Sequence, residues 1–210
     1  MASPSRTRRR LRIAACLTAG LLGTGAAYTP WWYSSTTTGT GSTVDFYPGT
    51  SFYAGGGGGG GTSSYFGYGL TWVGALYTLV LGGAIVVVLT SWAVAGYQLG
   101  ASRGKWDSGR RLARGALLGA LLLGGALAIG VSVGQPALYR LDNPSGTCAS
   151  AVPPGPCGSF WGASHGEIWG AGLGWWLDLG AVALLAVAAA LGTQRRASAA
   201  EAGGNRAGPG

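Results

Sequence analysis

The chain has 210 residues, 42 of them glycine, with 48% hydrophobic and 10% charged residues. That charge content is under half of the roughly 25% found in soluble domains, and the mean hydropathy is +0.30, which excludes a water-soluble globule. Glycine without a G-x-y period excludes collagen, and apolar residues gathered in long blocks exclude a wholly disordered chain.

In chain order, a basic N-terminus over 1–10 precedes a first apolar run, 11–29. Further runs follow at 70–98, 112–134 and 171–193. Each is long enough to cross the hydrocarbon core, which takes a helix of about 20 residues. The expectation is an all-α membrane protein, a bundle of four transmembrane helices. A Thr/Gly-rich loop (30–69), a basic loop (99–111), a second loop (135–170) and a disordered tail (194–210) link and end the spans.

The formal net charge of +8 raises nucleic acid as a partner. The basic residues do not mix with polar and aromatic ones on a folded face, as a nucleic-acid patch would require. They form three clusters: Arg6, Arg8, Arg9, Arg10 and Arg12; Arg103, Lys105, Arg110, Arg111 and Arg114; Arg195, Arg196 and Arg206. All three abut the same side of the apolar runs, and only Arg140 lies on the other. The positive-inside rule then puts both termini in the cytoplasm of a multi-pass plasma-membrane protein. Trp31, Trp32, Trp72, Trp169, Trp175 and Trp176 near the opposite ends read as an interfacial aromatic belt.

The first run has a rival reading as a cleaved signal, with Gly25-Ala26-Ala27 as its small-residue site. A lipobox at Ile13–Cys16 fails, because Arg12 leaves too short an apolar stretch before Cys16. A retained helix also fits an internal duplication. Residues 9–27 align with 110–128 without gaps, and Gly67-Tyr68-Gly69-Leu70-Thr71-Trp72 answers Gly170-Ala171-Gly172-Leu173-Gly174-Trp175. The unit would be a tandem two-helix hairpin, a parallel repeat about an axis along the membrane normal.

Small residues let helices approach closely in lipid. Gly115 and Gly119 mark such a stripe on the third helix, and Gly162, Gly166, Gly170 and Gly174 read as one leading into the fourth. In the first loop, the unbroken run Gly55–Gly61 reads as a flexible tether. Val44–Tyr47 and Thr50–Tyr53 read as a hairpin around Pro48-Gly49. In the second loop, Cys148 and Cys157 pair most simply as a disulfide. A zinc site with His165 and Glu167 is the weaker reading, for lack of a C-x-x-C pair. Cys16 reads as an inert thiol and His165 as a solvated surface residue.

Asp178 is an ionisable group inside the fourth span, on the face of Gly170, Gly174 and Ala181. Such residues are functional candidates by default. It is expected to be protonated, to bond a polar group such as Gln135, Thr71 or Tyr77, or to sit near the headgroups. One His and one intramembrane Asp do not supply a nucleophile with a base, a carboxylate pair or a metal ligand set. The chain is therefore not expected to be an enzyme or to carry a metal or cofactor. A structural, accessory or partner-binding membrane subunit is expected, with the bilayer and a membrane protein or a second copy as partners. An oligomeric channel or a proton-coupled carrier component using Asp178 is the alternative.

The outline resembles small four-span proteins such as claudin-like and tetraspan proteins, although the first loop has no cysteine pair and Cys-Cys-Gly is absent. The Arg-over-Lys bias, the Ala/Gly richness and Phe160-Trp161-Gly162 with Trp169–Trp175 are similar to uncharacterised four-helix membrane proteins of high-GC actinobacteria. That resemblance covers mainly 110–193 and implies the architecture but no activity.

Overall fold

The structure, a computed structural model, describes residues 4–36, 43–47, 50–54, 60–64, 72–100, 107–142, 155–164 and 166–204. Its helices are α1 (Pro4–Tyr28), α2 (Trp72–Gly100), α3 (Asp107–Asp142) and α4 (Leu173–Gly204). Four segments, Arg6–Tyr28, Leu79–Leu99, Arg111–Pro136 and Leu173–Leu191, are long and apolar enough to cross a membrane. The shortest has 19 residues, about 28 Å at 1.5 Å per residue. About a third of each segment is buried within the chain. The remainder presents Leu21, Leu79, Leu89, Leu122, Ile129 and Val133 outward, as lipid-facing helices do.

Hydroxyls inside the bundle satisfy themselves locally. Thr24 donates to the Gly20 carbonyl at 2.7 Å, Ser91 to Val87 at 2.7 Å and Ser132 to Ala128 at 2.8 Å. Each bond runs back one turn and needs no neighbouring helix. α3 continues through Pro136 to Asp142, past the end expected at 134. Proline removes a single ladder donor, and in apolar surroundings the remaining backbone groups are best satisfied by an unbroken helix.

The helices pack in chain order as a ring, which α1 closes against α4. Glycine notches receive large side chains around the ring, as small-residue packing in lipid requires. A Cβ at Gly20 would come within 2.9 Å of the Trp92 ring, one at Gly83 within 2.7 Å of Leu127, and one at Gly124 within 2.6 Å of Val182. Gly25 faces Leu177 and Gly180 faces Leu22 in the same way. Gly115 and Gly119 are different: both are exposed and have nothing near them. The close contact of α3 is made at Gly124, one helical face away from the expected stripe.

The all-α expectation is corrected by a six-stranded antiparallel sheet in the order β4-β3-β2-β1-β6-β5. Its strands are β1 (Trp32–Thr36), β2 (Thr43–Tyr47), β3 (Thr50–Ala54), β4 (Gly60–Ser64), β5 (Gly162–Ser164) and β6 (Glu167–Ala171). The expected hairpin is present as β2–β3, with Tyr47 opposite Thr50. Gly60 and Gly61 of the glycine run lie in β4, not in a tether, while 55–59 lie outside the described residues. β1 pairs with β6 from Trp32↔Ala171 to Thr36↔Glu167, so the two inter-helical segments build one sheet. This follows from the ring: β1 leaves the end of α1 where β6 enters its neighbour α4.

The glycines at 162, 166 and 170 are strand and turn residues and form no helical stripe. Gly166, at φ 77°, closes the turn between Ser164 and Glu167. Its left-handed backbone suits glycine, and a two-residue hairpin turn needs such a residue. Gly162 is covered by the ring of Trp169, and Gly170 by Trp161. A spacing of four in the sequence therefore conceals a hairpin in which Gly162 receives an aromatic ring, Gly166 makes the turn and Gly170 lies against the Cβ of Trp161.

Candidate functional site

Two features stand out among the described residues: the junction of sheet and bundle, and the buried carboxylate beneath it. The junction is built where α1 turns into β1 and β6 turns into α4. Gly172 donates its backbone N–H to the Trp31 carbonyl at 3.0 Å, and Gly174 donates to Pro30 at 2.7 Å. These bonds continue the β1–β6 ladder down to the helices. A Cβ on Gly174 would lie 2.6 Å from the Thr29 carbonyl and 2.6 Å from Trp31, and one on Gly172 would strike the Pro30 carbonyl. Both positions need glycine for this approach.

Trp31, Trp32, Trp169 and Trp175 pack with Phe160, Ala26, Val80, Leu127 and Val131 into one buried cluster under the sheet. Each indole N–H has a backbone acceptor: Ala26 for Trp31 at 2.7 Å, Phe160 for Trp32 at 2.6 Å, Ser159 for Trp169 at 3.2 Å and Ala128 for Trp175 at 3.1 Å. This corrects the aromatic-belt reading for these four residues. A tryptophan whose N–H finds a partner is as comfortable in a core as at a headgroup. Trp161 and Trp176, each 56% exposed, face outward. Ser34, also buried, donates to Glu167 Oε1 at 2.5 Å and ties β1 to β6 through side chains.

Asp178 lies five residues into α4, about 7.5 Å below its start. It is 1% exposed, and its Oδ2 has no hydrogen-bond partner. The carboxylate sits beside Gly124 of α3, where a Cβ would stand 3.8 Å from Oδ1. The structure therefore places Asp178 on the packed side of the bundle. Gln135, fully buried, lies eleven residues beyond Gly124 along α3, about 16 Å by the helical rise. Asp178 and Gln135 are thus not brought together. Thr71 and the Tyr77 side chain lie outside the described residues.

Away from the sheet the interior closes. Ala181, Leu185 and Ala188 of α4 meet Ala120, Leu117 and Ala113 of α3 in a second buried cluster with Cys16 and Val87. Their alternating spacing of three and four is that of a helical packing seam. Leu117 and Leu185 are 0% exposed, so Asp178 stands at the head of a filled, largely apolar section that also holds the buried Ser91 and Gln98.

Cys157 is buried in the junction cluster, carried there by a turn in which Gly158 donates to the Gly155 carbonyl at 2.9 Å. Cys148 and His165 lie outside the described residues, so neither the disulfide nor the zinc alternative is described. Cys16 is a buried free thiol. The signal for the missed sheet was the aromatic and β-branched content of Trp32–Thr36, Thr43–Tyr47 and Thr50–Tyr53. Comparison with protein-family models and with curated proteins finds no match to this chain.

Proposed function

We propose that this chain is a non-enzymatic structural or accessory subunit of the plasma membrane, which uses its four helices as an anchor and presents the sheet to a partner outside. Both termini and the arginine clusters lie in the cytoplasm in this reading, on the positive-inside rule. The supporting observation is the β1–β6 ladder, which fuses both inter-helical segments into one platform rooted in α1 and α4. A filled interior beneath Asp178 favours anchoring over conduction. A disulfide between Cys148 and Cys157 would fasten the segment before β5 on the oxidising side. The tandem hairpin is retained as a proposal for the helices alone, since the first segment contributes four strands and the second two.

The test is site-specific photocrosslinking in native membranes from Ile168 and Ala163, exposed residues of β6 and β5. A defined membrane-protein adduct that requires an intact sheet supports the reading. Adducts only to lipid from every position would refute it. The second reading, an oligomeric channel or proton-coupled carrier component, is favoured by the unpartnered Oδ2 of Asp178. Ion or proton flux in proteoliposomes, abolished by Asp178→Asn, would establish it.

A further inference from the structure

Trp161, Trp175 and Trp176 form a continuous ledge of rings where β5, β6 and α4 meet. Trp161 stands at 88° to Trp175 with ring centroids 5.9 Å apart, and Trp176 at 86° and 4.8 Å. Phe160 braces Trp161 from 5.2 Å, and Gly170 gives room to its Cβ. Trp175 is buried, whereas Trp161, Trp176 and the neighbouring Leu173 are each more than half exposed. Large apolar side chains fixed in place and left uncovered mark a contact surface.

The depth of this ledge says what covers it. The Trp175 indole donates to the Ala128 carbonyl of α3 at 3.1 Å, so the first turn of α4 is level with Ala128. The segment of α3 that is apolar enough to cross a membrane does not end there. It continues through 129–136, about 12 Å further at 1.5 Å per residue. Ile129 and Val133 on this stretch face outward, both more than half exposed. On α4 only Leu173 and Gly174 precede Trp175 within the helix. The last apolar turns of α3 therefore stand beside the base of the sheet, and Val131 shares a buried cluster with Trp32 and Trp169.

The strand register agrees with that depth. The row nearest the helices, Ala171, Trp32, Phe46 and Ser51, contains no charged residue. Glu167 stands at the opposite end of β6, about 13 Å from Ala171 at the rise of a strand. Tryptophan suits a headgroup layer, because its ring is apolar and its N–H can bond headgroups or water.

We propose that the base of the sheet is seated in the headgroup layer of one leaflet, with Trp161 and Trp176 in direct contact with phospholipid. Trp176 and Leu173 belong to a span themselves, so the lipid that surrounds α4 extends without a break onto Trp161. The proposal rests on the helices crossing a membrane, and it holds whether or not the far end of the sheet binds a partner.

The experiment uses the purified full chain in nanodiscs of phosphatidylcholine. Under hydroxyl radicals, Trp161 and Trp176 of the unaltered protein should be oxidised severalfold more slowly than in the unfolded chain. Phosphatidylcholine brominated near the glycerol end of its acyl chains should quench tryptophan emission, and Trp161→Phe should remove part of that quenching. Oxidation of either ring at the unfolded rate overturns the proposal. Slow oxidation with no loss of quenching in Trp161→Phe also overturns it, since protein and not lipid then covers the ring. The oxidation measurement needs no variant, so it decides the matter even where Trp161→Phe impairs folding.

Discussion

Gly174 donates its backbone N–H to the carbonyl of Pro30 across 2.7 Å, which joins the first turn of α4 to the residue that ends the α1–β1 connection. Through this bond and its neighbour at Gly172, the sheet continues the α1–α4 pair and is not a loop hung from it. The stability of the junction therefore depends on two positions where a side chain has no room.

Gly174→Ala is expected to destabilise the protein by about 1–3 kcal/mol, as overpacking against a backbone does. Gly115→Ala should be neutral or stabilising by up to about 1 kcal/mol, because the site is open and alanine favours a helix. Thermal unfolding of the detergent-solubilised variants measures both. Equal effects would refute the placement of the two glycines.

Trp32→Phe keeps an aromatic ring in the buried cluster but leaves the Phe160 carbonyl without its indole donor at 2.6 Å. The expected loss is about 1–3 kcal/mol. Trp176→Phe, at an exposed ring, should change the melting temperature little. A headgroup belt would make the two substitutions alike.

Asp178→Ala removes a buried oxygen that has no partner. Stability should hold or rise by about 1–3 kcal/mol, the cost of an unsatisfied polar group. A marked fall in melting temperature would mean that the carboxylate makes a stabilising bond. A gain together with lost activity would move Asp178 from a tolerated residue to a functional one.

Alkylation of the unfolded, unreduced chain should modify one thiol, Cys16, and all three cysteines after reduction, if Cys148 and Cys157 are bridged. A ring of this size stabilises by about 2–3 kcal/mol, so Cys148→Ser should lower the melting temperature accordingly. Three reactive thiols before reduction would remove the bridge from the account.

The helices were legible because hydropathy over some 20 residues is a strong signal, and the buried face of Asp178 followed from helical periodicity. The sheet was not. β4 reads Gly-Gly-Thr-Ser-Ser, a composition that suggests a linker, and it becomes a strand only because β3 offers it a partner. The four-residue spacing from Gly162 to Gly174 imitates a helix face, while the fold uses Gly162 for a ring, Gly166 for a turn, Gly170 for the Cβ of Trp161 and Gly174 for a carbonyl. Trp32 and Trp175 carried the same amphipathic signature as belt residues, and only the position of their N–H acceptors distinguishes core from interface.

The central claim is that one sheet, built from both inter-helical segments, faces a partner outside the membrane. The most direct measurement is photocrosslinking from Ile168 in native membranes, with the lipid-facing Leu122 as reference. The account predicts a defined protein adduct from Ile168, lost in a Gly174→Ala variant that disrupts the junction, and none from Leu122. Protein adducts from Leu122 with none from Ile168 would contradict it and place the partner surface within the bilayer.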